Sequence, residues 1–157
     1  MSYVRFHTKR RISVKKLISA DVNRFNRLAL QTDSVYHEAA SRLGLTYSAM
    51  MVLYSVLDNG GSCPIGDICA FGISKQTVNS ALRKLENEDI IFLRSAGGRR
   101  KDICLTEKGT ALAEKTVLKI IEFENEIFAS WTEHERETYF ELTKRYMNQL
   151  NERVSKL

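Results

Sequence analysis

The stretch Ser74-Lys75-Gln76-Thr77-Val78-Asn79-Ser80-Ala81-Leu82-Arg83-Lys84-Leu85-Glu86 decides how the chain is read. Ser74 is suited to cap a helix, because its hydroxyl can accept from a backbone N–H two or three residues on. Val78, Leu82 and Leu85 then stack on one face, while Gln76, Asn79, Ser80, Arg83 and Asn87 project from the opposite one. Immediately downstream the helical spacing stops. Ile90-Ile91-Phe92-Leu93, then Ser95-Ala96-Gly97-Gly98, then Asp102-Ile103-Cys104-Leu105 read as strand, turn and strand, a β-hairpin whose tip carries Arg99, Arg100 and Lys101.

Upstream, Thr46 is placed to cap a helix whose Met50, Leu53 and Leu57 share a buried face, and Asp58-Asn59-Gly60-Gly61 has the turn chemistry that ends it. Ser62 and Pro64 predict a shorter helix through about Phe71, closed by Gly72. Three short helices followed at once by a two-stranded hairpin form a winged helix-turn-helix, whose last helix enters the DNA major groove. The residue types suit that task. Gln and Asn match the edge of adenine and Arg that of guanine, so Gln76, Asn79 and Arg83 are the expected base readers. Lys75, Thr77, Ser80 and Lys84 are suited to phosphates, which position the protein without specifying sequence. On the wing, Arg99, Arg100 and Lys101 lie beside Gly97-Gly98, where the chain can turn sharply and send arginine into a narrow minor groove.

Farther out, Ile18, Val22, Phe25, Ala29 and Tyr36 predict one long amphipathic helix from near Ser13 to Leu43, ended by Gly44. Thr106 opens a helix through Ala129 with Ala113, Val117, Ile120, Ile127 and Phe128 at helical spacing. Thr132-Glu133-His134-Glu135 is a capping box that starts a last one bearing Tyr139, Leu142, Tyr146 and Leu150. The expected architecture is mainly α with a small β-hairpin wing, in one domain. Residues 1–12 form a basic N-terminal arm, 13–43 and 106–157 dimerisation helices, and 46–105 the winged lobe. The apolar residues at both chain ends exceed what one small winged lobe can cover, which predicts a homodimer; a monomer with a self-contained helical cap is the alternative.

Composition narrows the classes. With 43% hydrophobic and 27% charged residues the 157-residue chain has the make-up of an ordinary globular protein, and its single proline leaves long stretches free to be helical. The net charge of +5 is concentrated: Arg5, Lys9, Arg10, Arg11, Lys15 and Lys16 precede the first acid, and Arg94 with Arg99, Arg100 and Lys101 makes a second cluster. The N-terminal arm is thus a candidate for phosphate or minor-groove contacts. No apolar run is long enough for a membrane span and no signal peptide is evident, so a cytoplasmic protein without membrane partners is expected. No nucleophile motif, phosphate-cradling glycine loop or purposeful acid pair points to an enzyme, and no cofactor is implied. His7, His37 and His134 fall on different segments, and Cys63 and Cys69 lack zinc-site spacing, so no metal is expected. Cys69 and Cys104 read as small hydrophobes; Cys63, beside a helix start, is the better candidate for a redox-sensing thiol.

The Ser74–Glu86 stretch, the hydrophobic strand after it, Arg99, and Leu105-Thr106-Glu107-Lys108-Gly109 together resemble the MarR family. The resemblance extends over an order of six helices and a wing, nearly the whole chain beyond the basic arm. It implies a homodimer with interleaved first, fifth and sixth helices that binds a roughly palindromic operator in double-stranded DNA, a repressor in many members, released by small phenolic or lipophilic effectors. Two features depart from the family's pattern. Its wing carries an Asp two residues before the conserved Arg; here Gly97 stands there and Arg99 in the place of the Arg, which is expected to free Arg94 for a phosphate and loosen the tip. The segment from Ile68 to Ile73 is also compact for the family's third helix. Two other readings stay open on the residues alone: a winged-helix module that docks protein, which would not share the steep salt dependence of DNA binding, and a thiol-based redox regulator of the same fold.

Overall fold

A computed structural model describes residues 18–68, 73–98 and 100–157. Among them are seven helices and three strands: α1 (Ala20–Arg42), α2 (Tyr47–Asp58), β1 (Ser62–Pro64), α3 (Ile65–Ile68), α4 (Lys75–Asn87), β2 (Ile91–Ser95), β3 (Lys101–Leu105), α5 (Glu107–Lys115), α6 (Val117–Ser130) and α7 (Glu133–Val154). The mainly helical fold with a small antiparallel wing is the one the sequence predicts. The basic N-terminal arm and the start expected for the first helix at Ser13 lie outside the described residues, as do Cys69, Phe71, Gly72 and Arg99.

The chain divides into two compact units, Met1–Ala39 and Ala40–Leu157. Helix α1 begins just after Ser19, whose Oγ accepts the Val22 N–H at 3.2 Å. It ends as predicted at Gly44. That residue has φ +72°, and Leu45 N–H reaches back to Ala40 O at 2.9 Å, a closure that a Cβ would strain.

In the second unit α2 is the central element. Ala49, Met50, Met51, Val52, Leu53, Ser55 and Val56 are all buried, so it is enclosed on nearly every side, as an apolar helix must be. Ser55, the buried polar residue on it, donates its hydroxyl to Met51 O at 2.8 Å and leaves no unmet group. Ile68, Val78, Leu82, Leu85, Ile91, Ile103, Ala113 and Val117 complete the core around it.

Two expectations need correction. Ser62–Pro64 is a strand, not the start of a helix: β1 pairs antiparallel with β3, giving a three-stranded sheet of order β1-β3-β2, and only Ile65–Ile68 is helical. Pro64 is tolerated because β1 is an edge strand, where a missing N–H breaks no ladder. The helix expected from Thr106 to Ala129 is broken at Thr116, which has φ −123° and ψ −81°. Its hydroxyl donates to Leu112 O at 2.6 Å and its N–H to Ala113 O at 3.2 Å. The break lets both Ala113 and Val117 reach the core.

Helix α7 is the opposite of α2. The Thr132–Glu135 capping box forms as predicted, yet no residue of α7 is buried. Its start is braced by an aromatic group in which Phe128 meets Trp131 and Phe140 at ring-centroid distances of 5.1 and 5.5 Å, and by Arg136, which donates to Phe128 O and Trp131 O. No described helix is long and apolar enough to cross a membrane.

Candidate nucleic-acid interface

Helix α4 is set from both ends. At the start, Ser74 is extended (φ −61°, ψ 143°) and its Oγ accepts the Thr77 N–H at 3.1 Å, the predicted cap. At the finish the chain makes a full Schellman closure: Ile90 N–H to Leu85 O at 2.9 Å and Asp89 N–H to Glu86 O at 3.1 Å. The left-handed residue of that closure is Asp89, with φ +58°.

The closure is clasped by the segment resembling the family's Leu-Thr-Glu-Lys-Gly motif. Thr106 donates its hydroxyl to Asp89 O at 2.7 Å and its N–H to Ile90 O at 3.1 Å, while its Oγ1 caps α5 by accepting the Gly109 N–H at 3.0 Å. Lys108 Nζ donates to Glu88 O at 2.7 Å, a cation at the negative end of the α4 dipole. Gly109 lies so close to the Ile90 backbone that a Cβ there would come within 1.9 Å of Ile90 O. These contacts give the Leu105–Gly109 segment a physical task.

Between its ends α4 buries Val78, Ala81, Leu82 and Leu85 and exposes Lys75, Gln76, Thr77, Asn79, Ser80, Arg83 and Lys84. Gln76, Asn79 and Arg83 stand on that exposed face, and among the described residues no hydrogen bond or ion pair engages their side chains. The neighbours expected from the sequence to suit phosphates are more committed. The Ser80 hydroxyl donates to Gln76 O at 3.0 Å, Thr77 Oγ1 lies 2.8 Å from Ser74 Oγ, and Lys84 Nζ is 3.9 Å from Glu88 Oε1. Ser80 must turn away from the helix to donate elsewhere.

The wing pairs β2 with β3 in the register Ile91↔Leu105 to Ser95↔Lys101. Its tip turns at Gly97 and Gly98, with φ +96° and +58°, closed by Ala96 N–H to Arg100 O at 3.0 Å. Both glycines face open space, so backbone conformation and not crowding selects them. Arg100 and Lys101 are exposed there; Arg99 lies outside the described residues. Arg94 is not freed by the loss of a carboxylate at position 97. Its Nη2 lies 3.6 Å from Asp102 Oδ2 and donates to Ser62 Oγ at 3.1 Å, so an acid on the neighbouring strand takes it up.

Cys63 and Cys104 are buried free thiols. Burial pushes the Cys63 thiol up to about 11, with Asp67, Asp102 and Cys104 adding to the effect. Such a thiol holds almost no thiolate near neutrality and is poorly suited to sensing oxidants. Cys104 packs as the sequence predicts. Among the described residues no cluster of three or more His, Cys, Asp or Glu is arranged to hold a metal ion.

Comparison with known proteins agrees with this geometry. Residues 43–101 match the MarR family model. No curated protein matches the chain. Among solved structures, a MarR family regulator from Neisseria meningitidis is similar at 20% identity and a TM-score of 0.77, covering 88% of this chain and 99% of its own. The DNA complex of MepR from S. aureus is similar at 21% identity and a TM-score of 0.62, with 85% and 98% covered. BpsR of Bordetella bronchiseptica, whose DNA binding is regulated by 6-hydroxynicotinic acid, is similar at 21% identity and a TM-score of 0.57, with 79% and 98% covered. The matched segment runs from just after α1 through α4 to the first residue of β3, and the winged helix-turn-helix fold of this chain is similar to that of these MarR family structures.

Proposed function

We propose that the protein is a sequence-specific regulator of transcription that binds double-stranded DNA as a homodimer. The observation that carries this reading is the face of α4: Gln76, Asn79 and Arg83, three side chains able to read base edges, stand exposed on a helix fixed at both ends. Lys75 and Thr77 at the start of that helix, Ser80 once turned outward, and Arg94, Arg100 and Lys101 on the wing supply phosphate or groove contacts, with Arg99 assigned to the wing from its sequence position. The DNA complex of the similar S. aureus protein supports the same mode.

The helices beyond the winged lobe are assigned to dimerisation. Along α7, Tyr139, Leu142, Leu150 and Val154 follow one side and are all exposed, and Phe123 and Ile127 are exposed on α6. On α1, Val22, Leu28 and Val35 are exposed as well. Apolar stripes of that length call for a partner, and a second copy supplies the same stripes by symmetry. Two winged lobes related by a two-fold axis read half-sites about one DNA turn apart. Repression is the assigned sign of regulation, since a bound dimer blocks polymerase more simply than it recruits it. Release by a small effector is supported by the ligand-regulated Bordetella relative.

The test is selection of random duplex DNA by the purified protein, followed by titration of the selected duplex against Gln76→Ala, Asn79→Ala and Arg83→Ala. A pseudo-palindrome is expected, with specificity relaxed at separate positions and roughly 1 to 3 kcal/mol lost for each base contact removed. No enrichment at low salt overturns the reading.

A further inference from the structure

The outer face of the wing sheet carries an acid where electrostatics alone would exclude one. Asp102 follows Arg100 and Lys101 directly in sequence, in the wing assigned to a polyanionic partner, and its negative charge opposes that partner. Yet it is the better covered member of its ion pair, with a side chain 22% exposed against 57% for Arg94. Strand register explains why they meet. Arg94 is directly opposite Asp102, and Ser62 belongs to the next row, opposite Cys104, on the far side of β3. Side chains alternate between faces along each strand, so Arg94, Asp102, Cys104 and Ser62 share one face, and the guanidinium reaches across all three strands. Ser62 Oγ accepts from Arg94 Nη2 at 3.1 Å and from the Cys104 thiol at 3.4 Å. Both contacts of Arg94 use Nη2. Its three other N–H donors, on Nε and Nη1, have no partner among the described residues and are able to donate to phosphate oxygens.

We propose that Asp102 and Ser62 are positioning residues for Arg94: they hold its guanidinium across the wing sheet so that its remaining donors meet a backbone phosphate of bound duplex DNA. The role rests on the DNA-binding reading above. It accounts for what stability does not, because a half-exposed pair at 3.6 Å adds little to folding, whereas an arginine already fixed in place loses less conformational freedom when it binds. It also places in β3 the carboxylate that the wing lacks at Gly97.

The experiment measures dissociation constants for the selected duplex across a salt series, with wild type, Asp102→Asn, Ser62→Ala, Arg94→Ala and the Arg94→Ala/Asp102→Asn double variant, each checked for an unchanged melting temperature. Asp102→Asn removes a negative charge and would tighten binding if charge were its only effect. Positioning predicts the reverse sign: about three- to tenfold weaker binding for Asp102→Asn, and weaker binding for Ser62→Ala, which alters no charge. Both effects vanish in the Arg94→Ala background, and Arg94→Ala lowers the log–log salt slope by about one, as for one lost phosphate contact. Equal or tighter binding by Asp102→Asn, with wild type binding normally, overturns the positioning role alone. The same loss with and without Arg94 also overturns it. If Asp102→Asn fails to fold, Ser62→Ala decides by the same criteria. A wild type with no salt-sensitive duplex binding overturns the regulator reading, and this one with it.

Discussion

The two ends of α4 are held in different ways. The start is fixed by one neighbour, Ser74, three residues from the N–H it satisfies. The finish is fixed from about twenty residues away, by Thr106 and Lys108 donating to the carbonyls of Glu88, Asp89 and Ile90, with Gly109 pressed against Ile90. A local cap makes a helix; a long-range clasp also gives it a place in the molecule. Between the two, the side chains proposed to read bases are uncommitted. That division suits recognition, because donors aimed at base edges must be free to pair while the backbone that aims them must not drift.

The comparison can be broken most severely at Gly109. Gly109→Ala puts a Cβ 1.9 Å from a backbone carbonyl that cannot rotate away, so α5 and the end of α4 must separate. A loss of about 3 kcal/mol in urea denaturation is expected, at the upper end of what overpacking costs. A loss below about 1 kcal/mol would mean that the clasp yields easily and does not place the helix. Gln76→Ala and Asn79→Ala should do the opposite: stability within about 0.5 kcal/mol of wild type, since both side chains are exposed, but about 1 to 3 kcal/mol lost in binding the selected duplex. Parallel losses in folding and binding would show that these residues support the helix and do not read through it.

Ser74→Ala sharpens the contrast from the other end. Only the local cap is lost, so about 1 kcal/mol of stability is expected, well short of Gly109→Ala. Amide exchange separates the mechanisms. Ser74→Ala should speed exchange in the first turn of α4 alone, whereas Gly109→Ala should do so through the clasp and the start of α5 together. Matching patterns from the two variants would mean that α4 opens as a single unit and that its ends are not independently held.

What the sequence disclosed follows the same line between local and long-range causes. The Ser74 and Thr106 caps, the Thr132–Glu135 box, the Gly44 stop and the two faces of α4 each depend on residues within a turn or two, and each was legible. The strand at Ser62–Pro64 was not, because three residues with a proline have no period of their own and become a strand only through pairing with Asp102, Ile103 and Cys104 some forty positions on. The break at Thr116 was hidden because apolar spacing runs through it undisturbed. For the site, the exposed face of α4 was legible from helical period alone. The capture of Arg94 by Asp102 and Ser62 was not, since neither partner is a sequence neighbour and the meeting depends on the register of three strands.

Asp89 offers the smallest and most local test. It occupies the left-handed position that closes α4, at φ +58°, where helices most often place glycine. Asp tolerates that conformation better than most residues but still at a cost to its Cβ. No hydrogen bond or ion pair of its side chain to other described residues offsets that cost, since Thr106 takes the Asp89 backbone carbonyl, which any residue supplies. Asp89→Gly removes the steric cost and adds unfolded-chain entropy of nearly equal size, so a net gain of only about 0.5 kcal/mol is expected. Asp89→Ala should lose about 1 kcal/mol, because alanine keeps the Cβ and lacks the tolerance of Asp. The pair is read best by denaturation midpoints measured side by side. If glycine destabilises and alanine does not, the conformation at 89 is not what limits the closure, and the hold on the end of α4 comes from Thr106, Lys108 and Gly109 alone.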